Sequence, residues 1–406
     1  MNILLSSYSV NPYHGSEDGV GWNWTLQAAK HFNKPEDTIY LCTKKANAKD
    51  TEKGIEENGL TNVKLVIKDT PDCLNWYREH NSAFHHIYYI LWQRYAYNWA
   101  KRSGIDFDIV HHVTMGDFRI PGYMWKLKKP HTIFGPVGGG QSTPEALKDY
   151  ERSKAVERFR ELINKACAVS PSYKRAIMNF DSVFATNSET QEFMSRAMKT
   201  KCYKLSELAL ANEFKNLGIE KDQSASPVKI LYLGRLIEKK GLMLLLDVIE
   251  KMPAYADFIL EIYGGGPLEN DIKSCIRAKK LDEKVKLCGT VKHTEVSEVY
   301  RNADIFVMPS LRETGGTVLL EAMAHKLPIA ALDMSLCSDL KEQNCGEFVN
   351  VNQSKDAIIA EFADKLSLLV NDTALRKAEG ENGYRYVNNE FTWEKKFETV
   401  YADFIK

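Results

Sequence analysis

The stretch Val228-Lys-Ile-Leu-Tyr-Leu233, then Gly234-Arg-Leu-Ile-Glu-Lys-Lys240-Gly241, then Leu242–Met252 and Phe258–Tyr263, decides the fold. The first six residues are a short apolar run of strand length. The glycine-bounded polar segment after them is a turn. Leu242–Met252 is apolar but too long for a strand and reads as a buried helix. Phe258–Tyr263 is a second strand. A strand, a crossover helix and a further strand make a βαβ unit, and such units build parallel sheets.

Working outward, the same alternation recurs in both directions. Leu268–Lys280 reads as a helix, Val285–Cys288 and Ile305–Met308 as strands, Thr317–His325 as a helix and Ile329–Leu332 as a strand. Upstream, Asn2–Ser7, Thr38–Cys42, Val63–Ile67, Asp108–Val113, His131–Phe134 and Ser182–Ala185 are short apolar runs, most of them separated by helical sequence. Residues 201–227, with Ser224-Ala-Ser-Pro227, read as a linker. The expected fold class is therefore α/β, with two Rossmann-like doubly wound domains, 1–200 and 201–385.

The 406 residues are 44% hydrophobic, 27% charged and 11% aromatic, enough apolar material for two cores. Lys+Arg and Asp+Glu are both 54, so no whole-protein field draws in nucleic acid, and no nucleic-acid partner is expected. The eight cysteines form no Cys-x-x-Cys and read as reduced thiols. The N-terminus lacks the charged region and apolar run of a signal peptide, and no apolar stretch is long enough to span a bilayer. A cytoplasmic protein is expected.

In open parallel sheets, ligands bind at the carboxyl ends of strands. Pro309-Ser-Leu-Arg-Glu313-Thr-Gly-Gly316-Thr317-Val-Leu-Leu-Glu321 follows a strand and opens a helix. Gly315 and Gly316 permit close backbone approach, and the helix start offers N–H groups to an anion. Glu313 and Glu321, eight residues apart, can accept from hydroxyl pairs on different parts of one elongated ligand, or merely cap and decorate the helix. Arg235 and Lys240 after Val228–Leu233 suit a phosphate or diphosphate, unless they are ordinary surface bases.

Further strand-end candidates lie upstream. His14-Gly-Ser-Glu-Asp-Gly19-Val-Gly21-Trp-Asn-Trp has an anion-binding placement but lacks the Gly-x-Gly-x-x-Gly spacing. Asp108-Ile-Val-His111-His112 ends a strand in adjacent histidines, only one of which can face a given pocket. Phe134-Gly-Pro-Val-Gly138-Gly139-Gly140 ends another. Asp106-Phe-Asp108 precedes its strand, whereas a metal motif is expected after one. It reads as a turn, and the histidine pairs lack helical metal spacing. Residues 76–102 are rich in Trp, Tyr and His with interleaved Arg and Lys, and further basic helical sequence covers Arg152–Arg160. They form either a packed helix or a surface that meets a membrane or lipid-linked acceptor.

Taken together, these motifs resemble the family 4 retaining glycosyltransferases of GT-B fold, of the bacterial polysaccharide and glycolipid type. The most specific part is the Glu-x7-Glu stretch Arg312–Ala324, in order after Gly234-Arg235…Lys240-Gly241 and Tyr263-Gly-Gly-Gly-Pro-Leu. The resemblance implies two domains facing a central cleft. A hexosyl group would pass from a nucleotide-diphosphate sugar to a glycan or lipid-linked oligosaccharide, with retention at the anomeric carbon. Glu321 would hold the ribose hydroxyls. Glu313 would contact the transferred sugar, with backbone N–H groups of Thr314, Gly315, Gly316 and Thr317. Arg235 and Lys240 would stabilise the departing diphosphate. Gly19 or Gly21 would approach that phosphate, Gly138 and Gly139 would line the donor, and His111 or His112 would touch the sugar. No cofactor and no metal is implied, and a peripheral contact with the inner face of the cell membrane is among the expected partners. Residues 386–406, with Phe391-Thr-Trp-Glu and Tyr401-Ala-Asp-Phe, resemble the last helix that crosses back to the first domain. Thr314-Gly-Gly replaces the commoner Gly-Phe-Gly, and no Pro-Gly follows Leu332.

Two other function classes fit such a scaffold: a sugar-nucleotide isomerase, which needs no acceptor, and a non-catalytic sugar-nucleotide binder. A nicotinamide-dependent dehydrogenase would leave Glu313 and Glu321 without a role.

Overall fold

The structure, a computed structural model, describes residues 1–71, 85–151, 154–198, 201–220 and 226–405. These fall into two compact units, 1–140 with 160–207 and 393–406, and 141–159 with 208–392.

The first unit is built on a parallel sheet of β1 (Asn2–Ser7), β2 (Thr38–Thr43), β3 (Val63–Ile67), β4 (Ile109–Thr114), β5 (His131–Val137), β6 (Ser182–Ala185) and β7 (Tyr203–Lys204), in the order β3-β2-β1-β4-β5-β6-β7. Helices along this part of the chain are α1 (Ser16–His31), α2 (Ala48–Glu57), α3 (His85–Arg102), α4 (Lys154–Val169), α5 (Pro171–Ile177) and α6 (Ser188–Met198). All six residues of β4 are buried, as expected of a central strand covered on both faces.

The second sheet is also parallel, in the order β10-β9-β8-β11-β12-β13. Its strands are β8 (Val228–Leu233), β9 (Phe258–Tyr263), β10 (Val285–Gly289), β11 (Ile305–Met308), β12 (Ile329–Leu332) and β13 (Gly346–Val349). The helices are α7 (Leu242–Lys251), α8 (Glu269–Ala278), α9 (Val296–Arg301), α10 (Thr317–Ala324), α11 (Leu336–Lys341), α12 (Lys355–Asn371) and α13 (Thr373–Glu390). Six apolar side chains of α7 are buried beside Ile358, Phe362 and Leu366 of α12. Each fully buried side chain of this size contributes about 1.5–3 kcal/mol of transfer free energy.

In both sheets the strand order reverses between neighbouring parallel strands, at β1/β4 and at β8/β11. A crevice opens at the carboxyl ends of strands where such a reversal occurs. In the second unit the flanking loops are therefore 234–241 and 309–316.

The unit boundaries differ from the sequence reading, which placed 1–200, 201–385 and 386–406. Residues 141–159 pack with the second sheet: Leu147 joins its core and the Tyr150 hydroxyl donates to Asp247. Residues 201–207 join the first unit, because Tyr203–Lys204 add an edge strand to its sheet. The last segment divides at Thr392. Here α13 stays with the second unit, while α14 (Trp393–Val400) seats Phe397 against Trp24, Phe32 and Tyr401 of the first.

Of the aromatic stretch 76–102, residues 76–84 lie outside the described residues. In α3, Tyr88, Tyr89 and Trp92 are fully buried in the first core, while Ile87, Ile90 and Tyr95 are exposed. Among the described residues no helix is long and apolar enough to cross a membrane.

Candidate functional site

The chemistry concentrates on the loops after β8 and β11. Gly241 takes a left-handed backbone (φ 69°), and a β-carbon there would lie 1.9 Å from the Pro309 carbonyl oxygen. Only glycine fits, and its fit lets the two loops pack: the Leu311 N–H donates to the Lys239 carbonyl at 2.9 Å. The helix α10 then starts from Gly316, also left-handed (φ 80°), with no side chain capping its first turn.

Lys240 Nζ is ion-paired with Glu313, both side chains being largely buried at 15% and 12% exposure. The second Glu313 oxygen accepts from the Thr314 N–H at 3.2 Å. Arg235 is exposed on the β8 loop, whose turn is fixed by the Tyr232 hydroxyl donating to the Arg235 carbonyl at 3.0 Å. Lys239 belongs to the same group. Burial lowers its pKa, Glu313 opposes that shift, and Lys240, Arg235 and Arg312 add to it. Lys240 is thus paired with this carboxylate, Lys239 feels its charge, and Arg235 of the same loop lies near Lys239, all beside the start of α10. Such a place can take up a further polyanion.

Arg312 is held differently. It pairs with Glu157 and lies 3.9 Å from Glu151, which accepts from the Thr143 hydroxyl at 2.6 Å. Gln141 Nε2 donates to the Thr314 hydroxyl at 2.6 Å. These pairs tie residues 141–159 to the β11 loop. Among the described residues the hydroxyl of Ser310, 2% exposed, has no hydrogen-bond partner.

Glu321 lies further along α10 in a separate setting. The Tyr300 hydroxyl donates to Glu321 Oε2 at 2.9 Å and contacts the Val318 carbonyl at 3.3 Å. Burial raises the Glu321 pKa, and the Tyr300 bond opposes it. The Tyr300 ring stacks on His325 (centroids 5.0 Å apart). His325 Nδ1 donates to the Glu321 carbonyl at 2.7 Å, so its Nε2 accepts from Ser297 at 2.9 Å. The carboxylate is thus positioned by an aromatic prop, with one oxygen left for a ligand hydroxyl.

In the first unit the candidates serve other contacts. Gly19 and Gly21 lie within α1, which begins at Ser16. A β-carbon at Gly21 would lie 2.2 Å from the Ser9 carbonyl oxygen, so this glycine lets the β1 loop rest on the helix. His111 and His112 point to opposite faces of β4 and both are buried. His111 Nε2 donates to the Gly135 carbonyl at 2.6 Å, and its Nδ1 therefore accepts from the Tyr401 hydroxyl at 2.8 Å. Burial pushes its pKa down to about 4. His112 Nε2 lies 2.8 Å from the Tyr89 hydroxyl, and burial with the neighbouring His111 pushes its pKa down to about 3. Both imidazoles are neutral at pH 7. The Gly138 N–H donates to the Gly116 carbonyl at 2.7 Å, and the Gly139 carbonyl accepts from Arg119 and Arg160 at 2.7 and 3.0 Å.

Asp108 accepts from the Asn2 N–H at 2.7 Å and Asp106 pairs with Lys129 at 3.3 Å, both in irregular backbone just before β4. Among the described residues, His31, Glu394 and Glu398 are a group whose donor atoms lie within 4.8 Å of one another. They sit on α1 and α14, not on a strand-end loop.

Lys239, Arg312, Ser310 and Tyr300 are site residues that the sequence reading did not single out. Lys239 and Arg312 adjoin quoted motif residues, and that adjacency was the available signal. Tyr300 lies on α9, twenty-one residues before the carboxylate it contacts, with no local signal at all.

Residues 216–386, which contain both loops, match the family model described as Glycosyl transferases group 1. Over 182 residues, 40% of this chain, the sequence is 29% identical to the phosphatidylinositol N-acetylglucosaminyltransferase GPI3 subunit of Saccharomyces cerevisiae (strain RM11-1a), and the match spans 40% of that relative's length. Across 99% of this chain the fold is similar to the apo form of the lipopolysaccharide outer core galactosyltransferase WaaB, with a TM-score of 0.66, 16% identity and 100% of that chain covered. It is also similar to Anabaena Alr3699/HepE in complex with UDP (TM-score 0.62, 13% identity, 99% and 98% covered). The two Rossmann-like domains are those of the GT-B fold.

Proposed function

We propose that the protein is a retaining glycosyltransferase of the family 4 type. It would move a hexosyl group from a nucleotide-diphosphate sugar to a glycan or lipid-linked acceptor in the synthesis of a glycolipid or polysaccharide. The observation that carries this reading is the Lys240–Glu313 pair beside Arg235 and the uncapped start of α10. It lies within the segment that matches the group 1 family.

In this reading the diphosphate sits at the α10 N-terminus and is met by Arg235 and Lys240, with the helix dipole adding to them. Charge builds on the leaving phosphate oxygen as the glycosidic bond breaks, and these groups stabilise it there more than in the ground state. Glu321, held by Tyr300, accepts from the ribose hydroxyls. Glu313 faces the sugar and keeps Lys240 in place. The acceptor hydroxyl attacks from the face the diphosphate leaves, and the departing phosphate oxygen takes its proton. No resident metal is needed, since side-chain cations and the helix end meet the charge.

The test is incubation of the full chain with a panel of nucleotide sugars and candidate acceptors, with the product's anomeric configuration read by NMR. Transfer with the donor's configuration kept is expected. Interconversion of nucleotide sugars without acceptor would favour an isomerase, and an inverted product would end the retaining reading.

A further inference from the structure

Helices α1 and α14 pack through aromatic side chains, and that contact gathers a second cluster of polar groups. His31 is the last residue of α1. Its imidazole lies against the fully buried Phe397 ring of α14, with centroids 4.8 Å and planes 28° apart. Glu394 and Glu398 stand four residues apart on α14 and so share one of its faces. One imidazole nitrogen and two carboxylate oxygens thus come within 4.8 Å of one another. His31 is half-buried and both glutamates are exposed.

The imidazole is already oriented for a ligand. His31 Nδ1 lies 2.9 Å from the Gln27 carbonyl oxygen, which can only accept, so Nδ1 carries the proton and Nε2 keeps its lone pair. Metal-ligating histidines are commonly fixed through their other nitrogen in this way. The Phe397 ring holds the imidazole plane from one side. The two carboxylates repel each other across one helical turn, and among the described residues neither has an ion pair or a hydrogen bond. His31 also ends α1, where the partial negative charge of the helix dipole favours a cation.

We propose that His31, Glu394 and Glu398 bind a divalent transition-metal ion, zinc before others. One nitrogen and two oxygens make a three-ligand zinc set with the fourth position left for water. Ligand atoms around a tetrahedral zinc lie about 3.3 Å apart, and rotation of two exposed glutamate side chains covers the difference from 4.8 Å. Magnesium and calcium prefer oxygen alone, and manganese stands below zinc in the affinity order. The bound ion fastens α14 to α1 and so holds Phe397 against Trp24 and Phe32. Its role is to anchor α14 within the first unit. It takes no part in chemistry at the loops after β8 and β11, so the inference is independent of the transfer reaction.

The test uses the full chain, stripped with chelator and dialysed, with zinc chloride as the probe. Calorimetry should show one zinc per chain, and the melting temperature should rise with zinc and level off once the site is filled. Cobalt in place of zinc should give visible d–d bands without a thiolate charge-transfer band, which separates this ligand set from the cysteines. E394Q/E398Q should weaken zinc binding at least about tenfold, since even outer-shell partners are worth that much. In chelator the same variant should melt at or slightly above wild type, because it removes a repulsion between exposed side chains. H31Q should lose the binding as well. The proposal is overturned if wild type neither binds zinc nor shifts its melting temperature, if E394Q/E398Q binds zinc as wild type does, or if bound cobalt shows thiolate absorption.

Discussion

Lys240 reaches across from the loop after β8 to pair with Glu313 of the loop after β11. The two strands are neighbours at the point where the strand order reverses, so the pair bridges the crevice that the topology opens. Lys240→Met should lower turnover by about 10²–10³ if the cation meets the developing phosphate charge. Glu313→Gln frees the cation but loses the sugar contact. In a double-mutant cycle read by thermal unfolding, the two substitutions should couple by about 0.5–3 kcal/mol.

Tyr300→Phe removes the hydroxyl that donates to Glu321. The carboxylate stays buried, so its pKa should rise further and its grip on a ribose should slacken. A donor KM raised by roughly tenfold with little change in kcat is expected, equivalent to about 1.4 kcal/mol of lost binding. Steady-state kinetics against donor concentration separate this from a loss of catalysis.

Gly241→Ala should be among the most damaging single-methyl changes in the second unit. The left-handed backbone disfavours alanine, and its β-carbon would collide with the Pro309 carbonyl. A loss of about 2 kcal/mol or more is expected in chemical denaturation, together with weakened donor binding, because the two loops can no longer pack.

Two buried groups give opposite pH dependences. Burial pushes the Glu379 pKa up to about 8, so its stabilising contribution is complete below about pH 4.5 and is lost as pH rises toward 8. Burial pushes the Lys396 pKa down to about 7, although its Nζ donates to the Ser206 carbonyl at 2.8 Å. Its contribution is complete above about pH 10.5 and is lost as pH falls toward 7. Glu379→Gln should therefore raise the melting temperature at pH 9 and leave it nearly unchanged at pH 4. Lys396→Met should gain more over wild type at pH 6 than at pH 10.

Most of the scaffold was legible because its central strands are buried along most of their length. Runs such as Ile305–Met308 and Ile329–Leu332 carry no polar face and announce themselves without alternation. Tyr203–Lys204 and Gly346–Val349 escaped, being short edge strands in polar or glycine-bearing sequence. The excursion of residues 141–159 into the second unit was illegible for a different reason. It rests on Leu147 joining the second core and on Glu151 and Glu157 meeting Arg312, contacts more than 150 residues apart for the latter pair. At the site, Arg235, Lys240 and Glu313 were readable from their place after strands. The second histidine of β4 could not be told from the first, and the structure gives both of them buried partners.

The most direct measurement is calorimetric binding of nucleoside diphosphates, UDP first, to wild type, Lys240→Met and Arg235→Ala. Wild type should bind at least one of them, and each substitution should weaken that binding about tenfold or more, since each removes a charge-assisted contact of about 1.5–3 kcal/mol. Binding of no nucleoside diphosphate, or equal binding by all three proteins, would contradict a diphosphate held between the β8 loop and the start of α10.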